Sequence, residues 1–175
     1  MARLVAFLRG VNVGGINIKM ADLTQLFAGL GYTDVRTVLA SGNVLFDTKE
    51  RDRAATKRRI EAALTERFGY EAWVILLDLP ALAKVIEGYP FDEDNDEKQP
   101  WAMLLAEPGV LDDLLSVAGA LDPAVERVQP GEGVLYWEVT KGSTVGSVFG
   151  KHSAKPRFKA LTTTRNLRTL RKLLE

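Results

Sequence analysis

The amino-acid sequence predicts an α+β fold in which one order of strands and helices is followed twice along the chain. Two observations support this prediction. Apolar runs of strand length alternate with longer segments whose apolar residues recur at helical spacing. Glycine, asparagine and proline separate most of these segments, as expected for turns. The chain has 175 residues, which is enough for one domain or for two small ones.

The first half reads as strand, helix, two strands, helix and strand. Residues 3–9 form an almost continuous apolar run, which is typical of a central strand covered on both faces. A helix follows from about Lys19, and the next two strands flank a hairpin-type turn at residues 41–43. A second helix is predicted over residues 51–68 and a closing strand over residues 72–77. This β-α-β-β-α-β order is the ferredoxin-like arrangement.

The second half predicts a similar order with a different ending. Its predicted elements are a short helix at 80–87, a strand at 101–106, a helix at 110–120, strands at 125–128 and 134–140, a helical stretch at 144–149 and a final helix that starts near residues 162–164. The final helix is placed there because threonine is a favourable N-cap and leucines follow at helical spacing. We therefore expect a β-α-β-β-α variant in which extra C-terminal helices replace the last strand. The predicted subdomains are residues 1–78 and residues 79–175, and the second ends in a basic helix.

Composition and charge limit the classes of function. Cysteine is absent, which excludes disulfides, thiolate catalysis and zinc–thiolate sites. No apolar run reaches the length of a membrane span and the N-terminal residues lack a secretory pattern, so we expect a cytoplasmic protein with no membrane contact. Residues 139–174 carry no acidic side chain, whereas residues 92–97 are acidic except at Asn95. This asymmetry either steers an anionic partner to the C-terminal third or reflects a solvated basic helix and an acidic loop.

The glycine-rich loop between the first strand and the first helix is the first candidate binding site. Backbone N–H groups in such a loop, and at the start of the following helix, favour anions. The glycines stand at positions 10, 14 and 15, a spacing that matches neither the P-loop nor the dinucleotide-binding fingerprint. The candidate ligand-binding residues are Arg9, Asn12, Gly14, Gly15 and Lys19. The alternative is that the glycines only permit turn geometry and close packing.

Two further polar segments carry candidate binding residues. Ser41 and Asn43 lie in the turn between the second and third strands, where turn chemistry alone explains both. Thr164, Arg165 and Asn166 stand near the start of the predicted final helix. An arginine in a first helical turn opposes the helix dipole, so we expect Arg165 either to pair with a carboxylate or to bind an anion.

Three other features favour a structural interpretation. His152 is the only histidine and lies in a basic loop without a nucleophile-elbow sequence, so we expect an exposed loop residue rather than a catalytic base. The acidic run at residues 92–97 lacks the glycine and the glutamate that a calcium loop requires, and neither a metal site nor a cofactor is predicted. Phe7 and Phe46 lie on the strands that carry stacking aromatics in RNA-binding domains, but the accompanying basic motif is missing.

Several of these segments together resemble one protein family. They are Leu-Arg-Gly-Val-Asn-Val-Gly-Gly at residues 8–15, Lys-Met at residues 19–20, Ser-Gly-Asn-Val-Leu-Phe at residues 41–46, and Thr-Arg-Asn at residues 164–166 followed by Thr169 and Leu173. This set is similar to the bacterial family known as domain of unknown function 1697. Leu167 stands where that family usually has a tryptophan, which removes an aromatic surface there. The resemblance implies two ferredoxin-like-related α+β subdomains, and it implies no established activity.

From these features we expect a binding module for a phosphorylated small molecule, a nucleotide or a nucleic-acid end. The charge would come from Arg9, Lys19 and Arg165. Two alternatives stay open. One is an enzyme that acts on such a ligand without a metal or a thiol, and the other is a protein-interaction or self-assembly module in which acidic and basic surfaces pair. No pair of residues at a diagnostic spacing identifies a catalytic group.

Overall fold

The computed structural model describes residues 1–9, 17–38 and 42–175, and these residues form two four-stranded antiparallel sheets with helices between the strands. The chain divides into two units. Unit 1 comprises Met1–Leu82 together with Lys172–Glu175, and unit 2 comprises Ala83–Arg171. None of the helices in the described ranges combines the length and the apolar character that a membrane span requires.

Unit 1 follows the β-α-β-β-α-β order that the sequence predicts. Its elements are β1 (Ala2–Leu8), α1 (Met20–Gly29), β2 (Thr33–Val38), β3 (Asn43–Thr48), α2 (Arg53–Phe68) and β4 (Val74–Asp78). The strands lie in the order β2-β3-β1-β4, and each neighbouring pair is antiparallel. The chain therefore forms its sheet with β1 in a central position, as its continuous apolar run indicates.

The core of unit 1 lies between one face of this sheet and the helices α1 and α2. Alternate residues of β1 contribute to it because successive side chains of a strand point to opposite faces. The fully buried contributors from strands and helices include Leu4, Ala6, Leu23, Phe27, Phe46, Ile60 and Leu64. Helix α2 begins after Asp52, whose Oδ1 accepts the N–H of Ala55 at 3.2 Å, and it ends at Gly69, whose φ of 69° lies in the left-handed region.

Unit 2 repeats the strand arrangement of unit 1. Its sheet contains β5 (Lys98–Leu105), β6 (Glu126–Gly131), β7 (Val134–Thr140) and β8 (Thr162–Asn166) in the order β6-β7-β5-β8. Its helices are α4 (Val110–Leu115) and α5 (Val148–Ser153), with short 3₁₀ helices at Ala118–Ala120 and Pro156–Phe158. Two more helices, α3 (Leu79–Glu87) and α6 (Leu167–Leu173), lie outside the β5-to-β8 segment. The prediction of two ferredoxin-like-related α+β halves is confirmed.

The structure differs from the prediction at the end of the second half. Thr162–Asn166 forms the fourth strand, β8, where the sequence suggests the start of a helix. The strand pairs with β5 from Leu105 opposite Thr162 to Trp101 opposite Asn166. Consecutive β-branched threonines suit a strand, and the hydrogen bonds from β5 stabilise that conformation over a helical cap. The final helix begins at Leu167 instead, and the Oδ1 atom of Asn166 accepts the N–H of Arg168 at 3.0 Å.

Candidate functional site

Arg9 lies at the end of β1, in the middle of the sheet of unit 1. Two backbone hydrogen bonds hold this end: the N–H of Leu8 donates to the oxygen of Gly42 at 2.9 Å, and the N–H of Arg9 donates to the oxygen of Trp73 at 3.0 Å. The side chain of Arg9 is partly buried. Desolvation by this burial lowers the pKa of the guanidinium from its ordinary value. The fold therefore holds a partly desolvated cation at the end of its central strand.

Lys19 and Asn43 have different environments in the same unit. Lys19 is exposed and precedes α1 as its N-cap in an extended conformation, and it makes no side-chain capping hydrogen bond. Asn43 is fully buried, and its Nδ2 donates to the oxygen of Val38 at 2.9 Å. Because Asn43 pairs with Phe7 in the sheet, it lies at the same end of β1 as Arg9. The Asn43 side chain joins β2 to β3 there, which is a structural contact.

The remaining candidate residues of unit 1 lie outside the described residues. They are Asn12, Gly14, Gly15 and Ser41. For this reason Arg9, Lys19 and the start of α1 are the parts of the predicted loop site that carry structural information.

The Thr164-Arg165-Asn166 segment alternates between the two faces of the sheet of unit 2, because it lies in a strand. Thr164 is opposite Met103 and Arg165 is opposite Ala102. Arg165 is buried, with 8% of its surface exposed, and its Nη1 donates to Oγ1 of Thr163 at 2.7 Å and to the oxygen of Thr164 at 3.0 Å. The expectation that Arg165 opposes a helix dipole is therefore wrong, since no helix has its first turn at this residue.

His152 is buried rather than exposed, so that expectation is also wrong. Only 5% of its surface is exposed, and its Nε2 lies 2.8 Å from the backbone oxygen of Asp113. Its ring contacts Phe158 at 5.3 Å between centroids. His152 lies in α5 three residues after the buried Phe149, a helical spacing that places both on one face. This spacing was the sequence signal for burial. Among the residues described, no group of three or more metal-ligating side chains could hold a metal ion.

A cavity at the other end of the same sheet was not predicted from the sequence. Its volume is about 650 Å³, and its walls come from Met1, the turn between α1 and β2, the segment from the end of β3 to Arg51, and Arg59 in α2. The charged side chains in its wall are Asp47, Lys49, Glu50, Arg51 and Arg59. No sequence motif predicts this cavity, because four separate segments of the chain form it.

Comparison with known proteins supports the fold and identifies the family. The chain is similar to a solved structure of a conserved bacterial protein, SP0830, from Streptococcus pneumoniae, with 24% sequence identity, a TM-score of 0.80, and coverage of 98% of this chain and 96% of that chain. An unknown protein from Galdieria sulphuraria aligns over 94% of this chain and 96% of its own at 10% identity, and its TM-score of 0.29 supports no argument. No match to a curated protein was found. The family model described as Protein of unknown function (DUF1697) matches residues 1–136, and the chain therefore belongs to this family.

Proposed function

We propose that the chain is a cytoplasmic module that binds a phosphorylated small molecule or a nucleotide at the end of β1. The observation that carries this proposal is the position of Arg9, whose guanidinium is partly buried at the end of the central strand of unit 1. The guanidinium matches the geometry of a phosphate group because it can donate two parallel N–H bonds.

Partial burial makes Arg9 more effective as a binding group. Removing a charged group from water costs free energy, and the cost is offset when an opposite charge binds to it. Attraction between a cation and an anion is also stronger where water is partly excluded. The burial that lowers the pKa of Arg9 therefore also favours an anionic ligand beside it.

The start of α1 adds to the positive potential at this end of the sheet. The first N–H groups of a helix have no partner within the helix, and the helix dipole places partial positive charge there. Lys19 precedes the helix and is exposed. Its ammonium group cannot accept a hydrogen bond from these N–H groups, and it supplies a second cation for the same ligand.

Binding measurements on the wild-type protein and on three variants test the proposal. The probes are inorganic phosphate, ribose 5-phosphate, AMP and a 5′-phosphorylated oligonucleotide, and the readouts are calorimetric Kd values and thermal shifts. We expect Arg9→Ala to weaken binding at least about tenfold, because a hydrogen bond to a charged group contributes about 1.5 kcal/mol or more. Arg9→Lys keeps the charge and should weaken binding less than Arg9→Ala does. Arg58→Ala is the matched control, because Arg58 is exposed on α2 in the same unit.

Two results would contradict the proposal: no binding of any probe to the wild-type protein, or equal binding by wild type and Arg9→Ala. The salt dependence of Kd distinguishes a nucleic-acid end from a small ligand, because a polyanion releases many counterions. Turnover of a bound probe that is lost in Arg9→Ala would assign an enzymatic activity to the same site. Mass in solution at low and at high salt tests the alternative of a self-assembly module.

A further inference from the structure

The cavity of unit 1 is a second candidate site, separate from Arg9. β1 runs between the two, with Met1 in the cavity wall before the strand and Arg9 after its end. A strand rises by roughly 3.3 Å per residue, so the two sites lie roughly 25 Å apart. The cavity volume of about 650 Å³ lies within the range of small-molecule sites.

The two carboxylates in the cavity wall are already hydrogen-bonded. Oδ1 of Asp47 accepts from Nη1 of Arg3 at 3.1 Å, in an ion pair between β3 and β1. Oε1 of Glu50 accepts the N–H of Asp52 at 2.9 Å, at the entrance to α2. Arg3 offsets the charge of Asp47, and the three cations of the wall outnumber Glu50, whose carboxylate keeps its negative charge.

Arg59 is held in position by two contacts. Its Nη2 donates to the oxygen of Leu30 at 2.8 Å, and its guanidinium lies over the ring of Tyr32, 5.6 Å from the centroid. The hydrogen bond to Leu30 is the only one that the Arg59 side chain makes within the described part of the chain. A guanidinium has five N–H donors in a fixed planar arrangement. Arg59 is therefore oriented before any ligand arrives, and most of its donors are available to one.

Two further cations in the wall make no ion pair with any residue that the structure describes. Lys49 and Arg51 are exposed, and within residues 1–9, 17–38 and 42–175 neither side chain has a hydrogen bond or an acidic partner. Arg51 immediately precedes the N-cap of α2. Three cations therefore line one cavity, and none of them has an ion pair with a described carboxylate. This arrangement of charge suits a phosphate group that carries two negative charges.

Tyr32 provides an independent observation. Its side chain is 5% exposed, and its hydroxyl has no hydrogen-bond partner among the described residues. Its ring packs on Phe46 with 4.6 Å between centroids, and burial raises the pKa of the hydroxyl above its ordinary value. Because the hydroxyl itself is buried, Tyr32 contributes to the cavity wall through its other atoms, and Leu30 and Met1 offer apolar contact.

We propose that this cavity binds a phosphomonoester of sugar-phosphate or nucleotide size, with Arg51 and Arg59 holding the phosphate and Tyr32 contacting the remainder of the ligand. This site is additional to the one proposed at Arg9. The cations select the charged group, and the neighbouring Tyr32 and Leu30 select an organic phosphate over inorganic phosphate.

The test is an NMR titration of ¹⁵N-labelled protein with ribose 5-phosphate, and with inorganic phosphate and ribose as comparison ligands. We expect ribose 5-phosphate to shift the backbone amides of residues 30–33 and 47–51, and ribose to leave them in place. Arg51→Ala should weaken this binding at least about tenfold, because it removes one charge-assisted contact. Arg58→Ala, one position from Arg59 and outside the cavity wall, should bind as the wild type does.

A second pair of variants separates binding from folding. Arg59→Ala removes the contacts to Leu30 and Tyr32 as well as the charge, so Arg59→Lys is included to keep the charge. Among the described residues the Arg51 side chain makes no hydrogen bond or ion pair, so its variant reports on the ligand alone. Equal binding by wild type and Arg51→Ala, or shifts with ribose alone, would overturn the proposal. If Arg9→Ala abolishes binding and Arg51→Ala does not, this inference fails and the site at Arg9 stands.

Discussion

Nε1 of Trp137 donates a hydrogen bond to Oε1 of Glu126 at 3.0 Å, and both groups are buried in unit 2. The second carboxylate oxygen, Oε2, accepts the backbone N–H of Phe149 at 3.2 Å. One side chain on β6 thus provides the acceptor for a donor on β7 and for a donor at the start of α5. Glu126 is 2% exposed, so water cannot replace it.

Removal of the Glu126 carboxylate should strongly destabilise the protein. Glu126→Ala leaves two buried N–H donors without an acceptor, and each unsatisfied donor costs about 1–3 kcal/mol. We expect the free energy of unfolding to fall by about 3 kcal/mol, measured by urea denaturation with a fluorescence readout. Glu132→Ala is the control, since Glu132 is exposed in the turn between β6 and β7. Equal stability of the two variants would show that the Glu126 carboxylate does not stabilise the fold through these two hydrogen bonds.

Gly88 and Tyr136 should be coupled in stability. Oη of Tyr136 donates to the oxygen of Val85 at 2.6 Å, and a Cβ atom added at Gly88 would lie 2.5 Å from that same Oη atom. Gly88→Ala should therefore cost about 1–3 kcal/mol by overpacking, and Tyr136→Phe about 1 kcal/mol by loss of the hydrogen bond.

In the double variant the atom that clashes is absent, so the two costs should not add. The next contacts of the added Cβ atom, Lys84 O at 3.2 Å and Tyr136 Cζ at 3.4 Å, are much milder. We expect Gly88→Ala to cost at least about 0.5 kcal/mol less in the Tyr136→Phe background than in wild type. A double-mutant cycle from four urea titrations measures this difference. Strict additivity would mean that the cost of Gly88→Ala does not come from contact with the Oη atom of Tyr136.

The Asp113–Arg157 pair should contribute stability that depends on pH. Arg157 donates from Nε to Oδ2 at 2.7 Å and from Nη2 to Oδ1 at 2.8 Å. These hydrogen bonds lower the pKa of Asp113 below its ordinary value of 3.8, with smaller contributions of the same sign from His152 and Lys155. A carboxyl group with a lowered pKa stabilises the folded state above its ordinary pKa, and this contribution is lost as the pH falls through the lowered value.

Wild-type protein should therefore lose more stability than Asp113→Asn between about pH 6 and about pH 2.5. Urea denaturation at several pH values measures the two slopes. Asp112→Asn is the matched control, because Asp112 is an exposed neighbour on the same helix, α4. If the free energy of unfolding changes with pH in the same way for wild type and Asp113→Asn, the pair does not contribute to stability in acid.

Much of unit 1 could be predicted from local sequence patterns. The apolar run of β1 and the helical spacing in α2 each depend on residues that are close in sequence. Their conformations follow from side-chain periodicity and turn chemistry, which operate over a few residues. The prediction of an anion site in the loop from Arg9 to Lys19 also came from the sequence, and it stays a prediction. The family resemblance came from the sequence too, and the match over residues 1–136 confirms it.

Contacts between distant segments decided the rest. β8 is a strand because β5 supplies its hydrogen bonds, and the threonines by themselves are equally compatible with a helix cap. His152 is buried because Phe158 and Asp113 surround it, and the cavity beside Arg59 exists because four segments meet there. Local propensity specifies elements such as β1 and α2, whereas the strand conformation of β8, the burial of His152 and the cavity arise from packing between residues far apart in the chain. Only the folded structure contains that information.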